Sequence, residues 1–245
     1  MGTVIAGGAG FVGLNIAETM LAAGETVTIV DAGPVPDAAL RAFAALPGTL
    51  RCIEADVTDP DQLAPAFERD AEYVICGAAV TASPDRDGET PEKTLAVNVN
   101  GTLNLLRAAH EAGSRRVINL SSAGAYGAAA FRHDMLVEEQ TREDPTSVYS
   151  LTKFASEKIG DCMARAWNLD VISVRLSAVF GRWERHTSMR DTPSPQWQIM
   201  QAALRGQQAL VSRQDQRDWI YAPDVALAVI ALRDAARLNH RLYNI

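Results

Sequence analysis

The chain has 245 residues, 47% hydrophobic and 22% charged, enough to bury a sizeable core in one globular unit. Its formal net charge of −7 disfavours a nucleic-acid partner, and no apolar run approaches membrane-spanning length. The three cysteines, Cys52, Cys76 and Cys162, lie far apart with no C-x-x-C pair, which fits free thiols of a reducing compartment and neither a disulfide frame nor a metal site.

In chain order, Thr3 to Ala6 reads as a strand, beginning so near Met1 that no signal peptide fits before it and a cytoplasmic protein is expected. Gly7-Gly8-Ala9-Gly10-Phe11-Val12-Gly13 is a glycine-rich turn that opens an Ala/Leu-rich helix. A second β-branched run, Thr26 to Val30, ends at Asp31, which follows Gly13 by 18 residues. Strand, glycine turn, helix and acid in this order form the dinucleotide-binding fingerprint. Gly7 permits the tight turn, Gly10 clears a path for a pyrophosphate, and Gly13 lets the helix pack against the strand. Phe11, Val12 and Gly13 open the helix, whose free N–H groups and positive dipole end suit phosphate. Asp31 suits ribose hydroxyls and repels a 2′-phosphate; with Ala32-Gly33-Pro34 next and no arginine, NAD is favoured over NADP.

Beyond Asp31, Pro36 to Leu46 is helix-like, and Leu50 to Ala55 reads as the third strand. Asp56-Val57 is placed to bracket an adenine, while Thr58 or Asp59 caps a helix over Pro60 to Glu68. Tyr73 to Cys76 is a fully apolar strand running into Gly77-Ala78-Ala79, small residues suited to close cofactor approach. Pro84 to Glu92 reads as a polar loop and Pro91 to Ala112 as one long helix, within which Asn98 either braces a cofactor site or serves as a structural cap. Arg116 to Leu120 is the fifth strand, ending at Ser121-Ser122. Ser147 or Thr146 caps a helix carrying Tyr149 and Lys153, and Val171 to Leu176 is the sixth strand. Arg182 to Pro195 is a charged, irregular loop. A helix near Gln196 to Arg205, a short strand near Ala209 to Ser212, a strand at Trp219 to Tyr221 and a helix from Pro223 to Arg237 complete the prediction.

The alternation predicts an α/β fold: a Rossmann-type doubly wound parallel sheet with a small C-terminal substrate-binding lobe. The division expected is a nucleotide-binding domain over 1–180 and a lobe over 181–245 interleaved with late sheet elements. Tyr149 and Lys153, four residues apart, share a helix face. Y-x-x-x-K alone is common, but here it follows a nucleotide turn and a Ser-Ser at the carboxyl end of a strand, where ligands of open α/β sheets bind.

On these segments, and on Arg217-Asp218-Trp219-Ile220-Tyr221-Ala222-Pro223-Asp224-Val225, the chain resembles the extended short-chain dehydrogenase/reductases of the NAD-dependent epimerase/dehydratase family. The resemblance implies Tyr149 as general acid/base, Lys153 as the cation that lowers its pKa and holds the nicotinamide ribose, and Ser122 as a hydrogen-bond partner of the reacting oxygen. It also implies a cofactor site of Gly7, Gly10, Phe11, Val12, Gly13, Asp31, Asp56, Val57, Ala78, Ala79, Asn98, Tyr149 and Lys153. Arg217 falls where the family commonly grips a substrate diphosphate. Ala178 and Arg182 replace the usual asparagine and proline after strand six, which removes one substrate hydrogen bond and adds a cation; Arg182 thus joins Ser122 and Arg217 as a candidate substrate contact. Dehydratases of the family carry Asp-Glu after the serine or threonine, where this chain has Ala123-Gly124; the charged stretch Trp183-Glu184-Arg185-His186, with Arg190 and Asp191, either recognises an acidic sugar such as a uronic acid or is a solvated loop. The implied activity is NAD-dependent epimerisation of a nucleotide sugar, the alternative being net oxidation of a free sugar acid or small polyol. The chain stops at Ile245, short of the usual family length, so further sequence or a more open pocket is expected. A homodimer through the helices near 91–112 and 147–167 is implied as well.

Overall fold

The computed structural model describes residues 2–187, 189–209 and 218–245. The first half alternates β1 (Gly2–Ala6), α1 (Phe11–Ala22), β2 (Thr26–Asp31), α2 (Asp37–Phe43), β3 (Thr49–Glu54), α3 (Pro60–Phe67) and β4 (Tyr73–Cys76). Two short helices, α4 (Pro84–Glu89) and α5 (Pro91–Leu95), lead through a wide π-type turn (Ala96–Gly101) into α6 (Thr102–Glu111). Then come β5 (Arg116–Ser122), α7 (Val148–Trp167), β6 (Val171–Leu176), β7 (Ala178–Phe180), α8 (Pro195–Leu204), β8 (Trp219–Tyr221), α9 (Ala222–Asp234) and β9 (Leu242–Asn244).

Seven strands form the parallel sheet expected from the sequence, in the order β3-β2-β1-β4-β5-β6-β9. The order reverses between β1 and β4, which opens a crevice at the carboxyl ends of the strands. Side chains alternate across the sheet: Ile5, Ile29 and Ile75 pack under α1, α2 and α9, while Val4, Ala6, Val30 and Val74 pack under α3, α6 and α7. Both faces are therefore covered, which explains the near-continuous apolar strands. From the C-terminal part, α9 and β9 return to this main layer, while β7 and β8 pair separately beside it.

Two local expectations are corrected, two short strands were not foreseen, and one expected strand lies almost wholly outside the described residues. Residues 84–92 are largely helical, because the Ser83 hydroxyl accepts from the Arg86 N–H, Pro84 takes the first helical position, and Asp85 and Asp87 face the positive helix end. The helix expected over 91–112 is broken by the π-type turn, which rotates Asn98 inward; Gly101 there lies so close to Val57 that an added Cβ would stand 2.5 Å from its Cγ2. β7 and β9 have three residues each, too few for a period to show. Of the strand expected near Ala209 to Ser212, Ala209 is not in a strand and the rest lies outside the described residues.

Candidate active site

The glycine-rich turn is shaped by backbone crowding. Gly7 has φ +73°, and a Cβ there would stand 2.6 Å from Gly77 and Ala78. A Cβ on Gly13 would stand 2.4 Å from the Gly7 carbonyl oxygen, so α1 packs on the turn only without a side chain. Helix α1 starts after Gly10 with no side-chain cap and no acid in its first turn, leaving its leading N–H groups available to an anion. Asp31 stands behind the turn and accepts from the Ala9 N–H at 3.0 Å and the Gly33 N–H at 3.2 Å. Burial raises its pKa, opposed by those backbone donors and by the nearby Arg185 guanidinium. This cradle, too crowded for a Cβ and ending in a carboxylate with lone pairs to spare, fits an NAD diphosphate and ribose.

The second half of the site is a clasp between β5 and α7. Ser147 and Ser150 cap α7 reciprocally, which fixes where the helix starts. Its residues 149, 153 and 157 then meet three successive β5 residues. Tyr149 is placed beside Ser122, whose side chain acts to lower the phenol pKa, Lys153 Nζ donates to the Leu120 carbonyl at 2.8 Å, and Glu157 Oε1 accepts from the Ser121 hydroxyl at 2.5 Å. Ser122 Oγ also accepts from the Gly124 N–H at 3.0 Å, and the missing side chain at Gly124 leaves room for the Tyr149 ring. Glu157 is bound twice more by Arg175, through Nε at 2.8 Å and Nη2 at 2.6 Å, and both residues are buried.

Burial pushes the Tyr149 phenol above its usual value, while hydrogen bonds from Ser122 and Thr81 and the charge of Arg190 pull it back. Burial pulls the Lys153 ammonium down to about 8, with Glu157 and the Cys76 thiol acting in the opposite sense. Both groups are thus shifted by their surroundings, as acid/base pairs at working sites commonly are.

A cavity of about 830 Å³ joins the two halves. Gly7, Gly10, Phe11, Val12, Gly13, Ala79, Ser122, Tyr149 and Lys153 all line it. Other expected contacts stand elsewhere. Asn98 is buried behind the wall, its amide bonded to both backbone groups of Val80 and to the Thr152 hydroxyl, so it braces the loop after β4 against α7 and has no group left for a cofactor. Asp56 turns one carboxylate oxygen onto Thr58, Val57 is buried beneath Gly101, and Ala78 packs over Gly7; none of the three lines the cavity. Arg182 is likewise no cavity residue: it pairs with Glu18 on α1 at 2.9 Å and lies over the Trp183 ring. Arg217 lies outside the described residues.

Thr81 was missed, while Arg185 and Arg190 belong to the charged loop that the sequence left open between an acidic-sugar contact and a solvated surface. The loop after β7 crosses the crevice, where Thr81 N–H donates to the Met189 carbonyl at 2.7 Å and Arg190 stands over the Phe11 ring while pairing with Glu184 at 3.0 Å. Its charge density was visible in the sequence, but which charges turn inward was not.

The profile of the NAD dependent epimerase/dehydratase family matches residues 3–245. The chain belongs to this family. Like its relatives it is an NAD-dependent enzyme of the short-chain dehydrogenase/reductase type. Among epimerase/dehydratase relatives, the UDP-glucose 4-epimerase of Mycolicibacterium smegmatis is 28% identical over 240 residues, covering 94% of this chain and 72% of that protein. The UDP-glucose 4-epimerase of Streptomyces lividans is 26% identical over 255 residues, covering 99% of this chain and 74% of that protein. The Thermus thermophilus UDP-glucose 4-epimerase complex with NAD superposes with a TM-score of 0.82 at 26% identity, over 100% of this chain and 77% of that one. MoeE5 in complex with UDP-glucuronic acid and NAD gives 0.80 at 26% identity, over 100% and 76%.

Proposed function

We propose that this family member is an NAD-dependent epimerase of a nucleotide sugar. The observation that carries the reading is the placement of Tyr149, Ser122 and Lys153 in the wall of the cavity that also holds the glycine turn. NAD, when bound, supplies the hydride acceptor. Tyr149 takes the proton of a substrate carbinol and later returns one to the same oxygen, and Ser122 holds that oxygen between the two steps. Lys153 sits one helical turn along from Tyr149, within the same cavity wall, to hold the nicotinamide ribose, while the positive charge that favours the phenolate is that of Arg190. The oxidised sugar turns over in the cavity and is reduced on its other face, so the cofactor emerges unchanged.

Assays against UDP-, dTDP- and GDP-hexoses test the reading. Interconversion of sugars without net reduced nicotinamide supports it, and no product from any of them contradicts it. The second reading, net oxidation of a free sugar acid, draws on the cations Arg185 and Arg190 in the cavity wall; it predicts stoichiometric reduced nicotinamide with uronic acids.

Within residues 181–245, the segments interleaved with α9 and β9 of the main layer serve in this account as the substrate lobe, with Arg217 on the substrate diphosphate. A homodimer fits the half-exposed apolar side chains Leu95, before α6, and Leu151, on α7, and is tested by light scattering. A cytoplasmic location fits the free thiols Cys52, Cys76 and Cys162.

A further inference from the structure

Arg185 reaches back from the loop after β7 to the glycine-rich turn. Its Nη2 donates to the Ala9 carbonyl at 2.6 Å, and the N–H of that same residue binds Asp31. Its Nη1 is buried and finds no partner among the described residues, although Arg185 lines the cavity. Buried guanidinium donors are rarely left without an acceptor, because the lost hydration is not recovered. Asp31 does not fill the role: it feels the charge of Arg185, yet no ion pair joins them among the described residues.

The guanidinium is held in place from both sides. Trp183, two residues earlier, donates to Glu18 on α1 at 2.8 Å and packs edge-on against Phe43 of α2. Glu184 is buried, accepting from the Ser194 N–H at 2.6 Å and its hydroxyl at 2.7 Å while pairing with Arg190. Asn15 of α1 fixes the start of this segment by donating to the Arg182 carbonyl at 2.8 Å. A rigid arginine fork with one arm anchored on the turn and the other buried and unpartnered suits an anionic oxygen, since little side-chain freedom remains to be lost on binding.

We propose that Arg185 is a cofactor-binding residue whose unpartnered Nη1 donates to the diphosphate of NAD, opposite the N–H groups of α1. The inference rests on the reading that this cavity holds NAD. It makes the loop after β7 a second wall of the dinucleotide site, contributed from the far side of the switch point, and it assigns the positive charge beside Asp31 to phosphate.

Calorimetric titration with NAD and with ADP-ribose tests it, on the wild type, Arg185→Gln, Arg185→Lys and, as a control for net charge, the exposed Arg51→Gln. Loss of a charge-assisted hydrogen bond predicts at least about a tenfold weaker affinity of Arg185→Gln for both ligands. Arg185→Lys is expected to lose less, and Arg51→Gln to stay within about twofold of wild type. An unchanged NAD affinity in Arg185→Gln overturns the proposal, and so does a weakened NAD affinity with ADP-ribose unaffected. If circular dichroism shows Arg185→Gln unfolded, Arg185→Lys decides: an affinity equal to wild type for both ligands overturns the proposal, and a parallel loss upholds it. A wild type that binds neither ligand overturns instead the NAD reading on which the inference rests.

Discussion

Glu157 Oε1 accepts a 2.5 Å hydrogen bond from Ser121, four residues along α7 from the Lys153 that donates to Leu120. Helix periodicity thus fastens Leu120 and Ser121 at the end of β5 to one face of α7, with Tyr149 beside Ser122 at the outer end of that face. Arg175, fully buried over the Tyr126 ring and bonded also to Glu143 at 2.5 Å, supplies the opposing charge. Glu157→Gln keeps the shape but leaves Arg175 with only part of its countercharge. A loss of about 3 kcal/mol in denaturant unfolding is expected, together with an earlier alkaline fall in activity, since Glu157 holds the Lys153 ammonium up. An unaltered pH profile would detach Glu157 from the site.

Tyr149→Phe removes the proton carrier and leaves the glycine turn untouched. Turnover should fall by about 10²–10⁴-fold, with NAD affinity kept within about twofold. A rate equal to wild type would exclude Tyr149 from the chemistry.

Lys153 has a folded-state pKa of about 8, below its ordinary value of 10.5. Between those values the unfolded chain holds the extra proton, so stability rises with pH across that window. Its full extent is about 3 kcal/mol. Lys153→Met, which has no such proton, should lack the rise and should lose turnover at neutral pH. A wild-type stability that is flat or falls from pH 8 to 10.5, relative to Lys153→Met, contradicts this assignment.

Asp31→Asn removes the negative charge behind the turn and keeps one acceptor oxygen, enough for one of the Ala9 and Gly33 N–H groups, which bind different carboxylate oxygens in the wild type. NADP affinity should rise and NAD affinity fall, shifting their ratio by about tenfold or more. Selectivity that stays with NAD would assign the discrimination to another residue.

Much of this site was readable in the sequence because local rules suffice there. A glycine turn between strand and helix, an acid at the end of β2 and a tyrosine–lysine pair on one helix face are all short-range patterns, and each element was found where expected. Asn98 was legible as a buried polar residue, but only the π-type turn decides that its amide faces Val80 and Thr152. Arg182 and Arg185 are three residues apart in a loop without periodicity. Their different destinations, Glu18 outside and Ala9 inside, follow from the docking of Trp183 on α1 and α2. Such long-range choices leave no period in a sequence.

The most direct test follows an isotope. A nucleotide sugar carrying deuterium at its reacting carbon is incubated with the NAD-loaded enzyme, and the product is analysed by mass spectrometry and NMR. Transient oxidation with return of the same hydride predicts an epimer that retains the deuterium, with no net reduced nicotinamide. Deuterium accumulating in free reduced nicotinamide alongside an oxidised sugar, or exchanged into solvent, would contradict the account.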